Sequence, residues 1–192
     1  SGTIFTQGRG IRLLALSLIN SPHGVIATIF PLVLTVKLGG STAQLGWFAG
    51  FVALTEIPLM LVVGAAVSRF QLWTVIVTGG LVHAGYLALL GLAPNVATLF
   101  ALGVLNAIGN AVMLTQHMSY CQDLMPDRPG LGSSLLSIVS LISKGLAAAV
   151  FAGVGLVYGF GGALATAMVI CLVGCAGLMV LDRHQGRRRV TA

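Results

Sequence analysis

Long stretches without a charged residue are the feature that most constrains this chain. Residues 13–36, 70–122 and 145–181 contain no Asp, Glu, Lys or Arg, and they are 24, 53 and 37 residues long. A helix needs about 20 apolar residues to cross a bilayer, so these runs hold one, two and two crossings. Only 7% of the residues are charged, against about 25% in a soluble domain. The composition excludes an ordinary soluble enzyme, a disordered chain and a disulfide scaffold, and it predicts a polytopic membrane protein.

The chain is predicted to be all-α, with six transmembrane helices in a single bundle over residues 1–192. Pro94-Asn95 and the glycine-rich residues 159–162 interrupt the two longest runs, and such residues are typical of turns. Apolar residues occupy consecutive positions, which favours helices over the alternating pattern of a transmembrane β-barrel. The predicted spans are 12–37, 43–68, 72–92, 96–122, 131–157 and 161–181.

Basic residues near the ends of the spans predict the orientation of the chain. One side of the membrane would hold eight Arg residues, whereas the other would hold only Lys37. Because cytoplasmic loops carry an excess of Lys and Arg, both termini are expected in the cytoplasm. The tail 187–189 is then interpreted as an anchor that touches the lipid bilayer, and nucleic acid is excluded as a partner. The eight residues are Arg9, Arg12, Arg69, Arg128, Arg183, Arg187, Arg188 and Arg189.

The patterns of common catalytic and metal sites are missing from the sequence. Three cysteines do not make a disulfide framework, and they are interpreted as small core residues. The residues that could bind a metal lie on four separate spans without metal-ligand spacing, so no metal is expected; they are His23, His83, His117 and Glu56. No phosphate-binding loop or nucleophile–His–carboxylate pattern occurs either. The chain is therefore predicted to be neither an enzyme nor a protein with a bound cofactor.

Two charges of opposite sign lie near the middle of predicted spans. Glu56 belongs to the second span and Lys144 to the fifth. A charge at this depth is costly to insert, and it is usually retained for a function. We expect the two to share one polar cavity, either as an ion pair or through substrate and water. Glu56 could instead be protonated and neutral, and the pair could also serve only to hold two helices together.

Uncharged polar residues in other spans extend this candidate pathway. Asn106, Asn110 and His117 are spaced by four and seven residues, so they lie along one helical face. The alternative for the two Asn residues is hydrogen bonding between helices, and His117 is expected to be a gate or interface residue near the cytoplasm. Asn20 and His23 flank Pro22, where a kinked helix is expected to line the site. His83 lies in the middle of the third span, and packing is favoured over proton relay there.

Four short strings resemble the bacterial sugar efflux transporters of the major facilitator superfamily. Residues 54–61, LTEIPLML, resemble the LEIPxML string of the eighth helix of that family. Residues 105–108, LNAI, resemble part of its tenth helix. Residues 122–126, QDLMP, followed by Gly130, resemble the next cytoplasmic loop. Residues 143–145 stand where the family has Ser-Arg-Val-Gly, so Lys144 replaces an Arg.

The resemblance implies a fold and a function for the chain. It implies the C-terminal six-helix half of a twelve-helix transporter, with the N-terminal six-helix bundle outside this sequence as a partner. It also implies proton-linked efflux of sugars or related small solutes across a bacterial inner membrane, driven by the proton gradient and without a cofactor. The residues assigned to a substrate and proton pathway are Glu56, Lys144, Asn20, His23, Asn106, Asn110 and His83. The residues assigned to a cytoplasmic gate or loop are Arg69, His117, Asp123 and Arg128.

Two other functions remain open at this point. One is export of drugs or metabolites by the same fold, which an aromatic-rich cavity would favour, although only 7% of the residues are aromatic. The other is a six-helix membrane scaffold, or a half-transporter that acts as a homodimer.

Overall fold

The computed structural model describes the backbone of residues 7–125 and 130–190 and the side chains of residues 8–125 and 130–183. In this part of the chain all regular elements are helices. Short π-helical turns continue two of them, at Val33–Lys37 and Phe151–Gly155. The α-helices are α1 (Gln7–Leu32), α2 (Thr42–Val67), α3 (Leu72–Leu90), α4 (Val96–Asp123), α5 (Gly130–Val150) and α6 (Leu156–Val190).

Side-chain caps determine where two of the helices begin. Ser41 accepts a hydrogen bond from the backbone N–H of Gln44, and the Gln44 side chain accepts one from the N–H of Ser41. This reciprocal pair satisfies donors that the first turn of α2 leaves free. Asn95 accepts a hydrogen bond from the N–H of Thr98 at 2.9 Å and so caps α4. The interruption expected at Pro94-Asn95 thus coincides with the start of α4.

The last apolar segment, Gly130–Arg183, is 54 residues long and contains two antiparallel helices. In α5, Ser143 and Ala147 lie against Ser17 and Gly24 of α1, so the two helices run in the same direction. In α6 the order is reversed, because Asp182 contacts Arg12 and Cys171 contacts Ile19. The chain turns at Gly159, whose φ of +68° is a conformation that favours glycine. Residues 156–158 thus precede the turn, and the helix that follows it continues to Val190.

Helix α1 continues through Pro22 without interruption. Proline has no N–H, so the carbonyl of Leu18 loses its usual partner one turn earlier. The hydroxyl of Ser21 donates a hydrogen bond to this carbonyl at 2.8 Å. A neighbouring side chain therefore replaces the missing backbone bond, and the helix continues to Leu32.

The described part of the bundle has three apolar core clusters, and the two largest lie on either side of a polar layer. The first cluster includes Ile29, Tyr86 and Leu99, and the second includes Leu16, Ile76 and Leu178. Helix α1 packs against α5 and α6, α3 packs against α4 and α6, and α2 packs mainly on α4. The polar residues of the site come from the parts of α1, α3, α4 and α5 that lie between the two clusters.

Candidate functional site

Asn110 of α4 joins three helices at the centre of the polar layer. Its amide nitrogen donates a hydrogen bond to Oε1 of Glu56 on α2 at 2.7 Å. Its amide oxygen lies 3.3 Å from Nδ1 of His23 on α1. An amide oxygen can only accept, so Nδ1 of His23 is the donor. Glu56 is half-buried and His23 is exposed, so this set of residues reaches the surface of the bundle.

Asn106, one turn before Asn110, forms a similar bond with α3. Nε2 of His83 donates to the amide oxygen of Asn106 at 3.3 Å. His83 is completely buried, and its Nδ1 has no hydrogen-bond partner among the described residues. The imidazole lies directly on Gly109, where a Cβ would come within 2.7 Å of the ring. A residue without a side chain at position 109 therefore provides the space that His83 occupies.

A second group of polar residues connects α1 with α5. Asn20 donates to the hydroxyl oxygen of Ser143 at 3.2 Å. The Ser143 hydroxyl lies within hydrogen-bond distance of the carbonyls of Ser17 and Val139, at 2.9 and 2.7 Å. Because Asn20 and His23 are three residues apart on α1, the two polar groups are neighbours along one helix.

Glu56 and Lys144 do not form the ion pair that was one of the two expected arrangements. Among the described side chains, one ion pair lies within 4.0 Å, and it joins Arg12 to Asp182. Helices α2 and α5 do not pack extensively against each other in the described part of the chain. Glu56 has an uncharged amide as its partner, and Lys144 is exposed beside Ser143. The other arrangement, a shared cavity, stays a prediction.

Comparison with known proteins identifies the family. A sequence profile described as Major Facilitator Superfamily matches residues 13–192. The chain belongs to the major facilitator superfamily. A protein of Deinococcus radiodurans named "Putative sugar efflux transporter" is 34% identical over 132 residues, which cover 69% of this chain. The aligned part is 34% of that relative's length. No solved structure matches the chain significantly.

Membership in the superfamily confirms the predicted family and fold class. The described residues form an all-helical array with no strand, and five segments are long and apolar enough to cross a membrane. Since the last of these segments holds two antiparallel helices, the architecture agrees with one six-helix half of a superfamily transporter. The chain is therefore a multi-pass membrane protein of a transporter family.

The four residues expected at a cytoplasmic gate lie in different environments. Arg69 and Asp123 are exposed, after α2 and at the end of α4. His117 is 1% exposed, and its Nε2 has no partner among the described residues. His117 lies in the interior of the bundle, on the same inward face of α4 as the buried Asn106 and Asn110. Arg128 lies outside the described residues.

Sequence reasoning missed a buried ion pair in this superfamily bundle. Nε of Arg12 donates to Oδ1 of Asp182 at 2.7 Å, and the Tyr120 hydroxyl donates to Oδ2 at 2.7 Å. The Arg12 guanidinium also donates to the carbonyls of Gly8 and Leu181. Arg12 entered the sequence reasoning only as an orientation signal. The signal that could have found the pair is the acidic residue at the end of a span whose flanks are otherwise basic.

Residues of α2 and α4 form an apolar groove. It has a volume of about 510 Å³, and Gln44, Trp47, Gly50, Phe51, Leu54 and Phe100 line it. Phe51 and Phe100 lie 6.1 Å apart, and Phe100 contacts Phe48 edge to face. No charged side chain lines this groove.

The three cysteines are free and buried in the described structure. No group of three or more His, Cys, Asp and Glu within the described residues could hold a metal ion. The expectation of no metal and no cofactor is not tested by these facts and stays a prediction.

Proposed function

We propose that this chain is part of a proton-coupled transporter that exports sugars or related small polar solutes by alternating access. Membership in a transporter superfamily supports transport, and it also favours a protein that is not an enzyme. The name of the 34% identical relative supports sugar efflux. The chain spans about a third of that relative's length. The activity of a whole transporter is therefore a proposal for this chain and is not transferred from the relative.

The hydrogen bond between Glu56 and Asn110 is the observation that supports this function best. A carboxylate at membrane depth whose partner is a neutral amide can gain or lose a proton without leaving an opposite charge unpaired. Asn110 and His23 are also suited to bind hydroxyl groups, because they carry donors and acceptors. In this scheme, protonation of Glu56 and binding of the solute compete for the same amide.

The other polar residues have supporting roles in the proposal. Asn20 and Lys144 are assigned to contacts with the solute, since Asn20 is half-buried and Lys144 is exposed on the neighbouring helix. Asn106 and His83 are assigned to positioning, because they are buried behind Asn110. Four further residues are proposed to form a cytoplasmic gate or loop, namely Arg69, His117, Asp123 and Arg128.

The proposed cellular setting follows from the same scheme. The protein would lie in a bacterial inner membrane with both termini in the cytoplasm, and the proton gradient would supply the energy without a cofactor. An N-terminal six-helix bundle would complete the substrate cavity. Nucleic acid is not a proposed partner.

Transport driven by a pH jump tests the coupling. The complete gene is expressed, and inverted vesicles take up labelled sugars from a panel before and after acidification of the lumen. Glu56→Gln keeps the shape and a hydrogen-bond acceptor but removes the titratable group. We expect this variant to lose the response to pH and to retain exchange of labelled for unlabelled sugar.

Thr55→Val is the matched control, because the Thr55 hydroxyl donates only to Phe51 of its own helix. It should behave as the wild type does. An unchanged pH response in Glu56→Gln would reject proton coupling through Glu56. Absence of uptake for every sugar would reject the substrate class.

A second candidate is export of hydrophobic solutes, which the aromatic groove favours. Three of its six lining residues are Trp47, Phe51 and Phe100. A panel that includes hydrophobic cations and dyes would distinguish the candidates. Trp47→Ala should impair export of such compounds if this function is right, and it should leave sugar efflux unchanged if the first proposal is right.

A further inference from the structure

Three polar side chains form a continuous series across three helices, from Glu56 on α2 through Asn110 on α4 to His23 on α1. The Asn110 amide nitrogen lies 2.7 Å from Oε1 of Glu56, and its amide oxygen lies 3.3 Å from Nδ1 of His23. The two ends differ in exposure, since Glu56 is half-buried and His23 is exposed. We refer to these three residues as the polar series.

An ionised carboxylate at Glu56 fixes the direction of both hydrogen bonds in the polar series. A carboxylate only accepts, so the NH2 group of Asn110 must face Glu56. The amide oxygen then faces His23, and because this oxygen also only accepts, Nδ1 of His23 must carry a proton. A neutral imidazole has one N–H group, so Nε2 of His23 is left as an acceptor. The charge of Glu56 therefore determines which ring nitrogen is protonated on another helix.

Nε2 of His23 is the atom of the polar series that a solute can reach. His23 is exposed, and its one hydrogen bond among the described residues is made by Nδ1. An unprotonated nitrogen at this surface accepts a hydrogen bond from a hydroxyl group, and sugars carry several hydroxyl groups. An ether oxygen has no hydrogen to donate, so it cannot replace a hydroxyl group in this contact.

Protonation of Glu56 removes the constraint on the polar series. A carboxylic acid has a hydroxyl donor as well as an acceptor, so Asn110 can present either end of its amide to it. When the amide turns over, its NH2 group faces His23, and Nδ1 must then be unprotonated. The ring makes this change without a net gain of protons, because Nε2 takes one from water while Nδ1 releases one. Nε2 then donates, and an ether oxygen can accept from it.

Titratable groups on the neighbouring helices lie outside the polar series. On α3, His83 bonds to another Asn of α4, and on α6 the thiols of Cys171 and Cys175 bond to backbone carbonyls. On α5, Lys144 is exposed and forms no ion pair among the described side chains. His117 of α4 is buried. None of these groups bonds to the carboxyl group of Glu56 in the described structure, so they do not reverse the direction of its hydrogen bond.

We propose that ionised Glu56, acting through Asn110, makes Nε2 of His23 the acceptor for a hydroxyl group of the exported solute. This inference rests on the proposed export of polar solutes, and it gives each member of the polar series a role. His23 contacts the solute, and Asn110 is a positioning residue. A solute that donates to Nε2 also favours the ionised form of Glu56, because coupling between two sites is reciprocal. Proton and solute therefore oppose each other, as an exporter that exchanges them requires.

Nitrogen NMR of the complete protein tests the position of the proton without knowledge of the solute. The ring nitrogens of the histidines carry a heavy isotope, whose chemical shift differs between a protonated and an unprotonated nitrogen. The signals of His23 are those that disappear in His23→Gln. At weakly alkaline pH we expect a protonated Nδ1 and an unprotonated Nε2 in the wild type. An unprotonated Nδ1, or a ring with both nitrogens protonated, would overturn the proposal.

Two variants test the link between His23 and Glu56. Glu56→Gln carries an amide that can accept or donate, and Asn110→Ala removes the bridge while the carboxylate remains, so both should lose the preference for a protonated Nδ1. His83 is the internal control, because Asn106, its partner, has no charged partner among the described residues. Changed His83 signals identify a misfolded variant, and the other variant then decides. Wild-type protonation of His23 in a folded variant would overturn the role of the polar series.

Competition by methylated sugars tests the contact with the solute. The sugar that gives the largest efflux in the pH-jump panel is compared with its methyl ethers, in each of which one hydroxyl group can no longer donate. At least one ether should compete about fivefold more weakly than the parent sugar in the wild type, and this deficit should shrink in Glu56→Gln. Equal competition by all ethers, or a deficit that persists unchanged in Glu56→Gln, would overturn the contact. Absence of efflux for every sugar is a failure of the proposed function, which the transport assay shows and the NMR signals do not.

Discussion

Two carboxylates in the bundle have partners of very different kinds. Asp182 accepts bonds from a guanidinium and a phenol, and this network joins the beginning of α1 to the C-terminal parts of α4 and α6. Glu56 accepts one bond from the amide of Asn110. The cation at a similar depth, Lys144, lies on a helix that does not pack extensively against α2.

We expect this difference to separate a charge that stabilises the bundle from a charge that takes part in transport. A buried ion pair fixes both partners, since removal of either leaves an unpaired charge in the interior. A carboxylate with a neutral partner can change its protonation state at a smaller structural cost. We therefore expect the Asp182 network to hold the bundle together, and we expect Glu56 to contribute little to stability and much to transport.

The largest effect is expected when one partner of the buried ion pair is removed. Arg12→Ala leaves the Asp182 carboxylate with only the Tyr120 hydroxyl, and it should lower the free energy of unfolding by about 3–5 kcal/mol. Denaturation of the purified protein in detergent, followed by the loss of helical signal, measures this change.

The double variant Arg12→Met with Asp182→Leu is the control, because it removes both charges together. It should be much closer to the wild type than Arg12→Ala, since no buried charge is left without a partner. If Arg12→Ala is as stable as the wild type, the Asp182 network does not hold the bundle together, and the comparison fails.

An intermediate effect is expected from Asn110→Ala. This change removes the bonds to Glu56 and to His23. Interhelical hydrogen bonds in membranes contribute about 0.6 kcal/mol each, so the loss should be about 1 kcal/mol. The same denaturation experiment applies, and Thr115→Val is a suitable control, because the Thr115 hydroxyl donates within its own helix. A loss as large as that of Arg12→Ala would mean that the polar layer is also a structural network.

A smaller change in stability is expected from Glu56→Gln, the variant that should abolish the pH response. The amide oxygen of Gln can still accept from Asn110, so the free energy of unfolding should change by less than about 0.6 kcal/mol. The comparison predicts this combination of lost coupling and preserved stability. If the variant unfolds as readily as Arg12→Ala does, its transport defect says nothing about coupling.

Helix positions follow from the sequence because the charged residues and Pro94-Asn95 mark where the chain leaves the membrane. The shared face of Asn106 and Asn110 follows from helical spacing alone. Helical spacing does not show which residue each Asn contacts, since Glu56 is 54 positions away from Asn110 along the chain.

An acidic residue at an otherwise basic flank marks Asp182 in the sequence, but its partner was not predictable for a related reason. Arg12 is 170 positions away, and it looks like an ordinary flanking charge at the end of a span. Opposite charge alone suggested that Glu56 and Lys144 would pair, but helix packing decides contact, and the structure gives Glu56 an amide instead.

The smallest change in stability is expected from Lys144→Met, which also tests the comparison most sharply. Lys144 is exposed and has no partner within hydrogen-bond distance among the described residues, so the free energy of unfolding should stay within about 0.5 kcal/mol of the wild type. Transport should nevertheless fall, because Met keeps the length of the side chain and removes the charge that is proposed to contact the solute. Lys144→Arg keeps the charge and should retain efflux, which separates loss of charge from loss of shape. Stability and efflux are measured for the wild type, Lys144→Met and Lys144→Arg. Equal stability in all three, with efflux lost only in Lys144→Met, would support contact between Lys144 and the solute. Full efflux in Lys144→Met would instead leave Glu56 as the one charge in the polar layer on which transport depends.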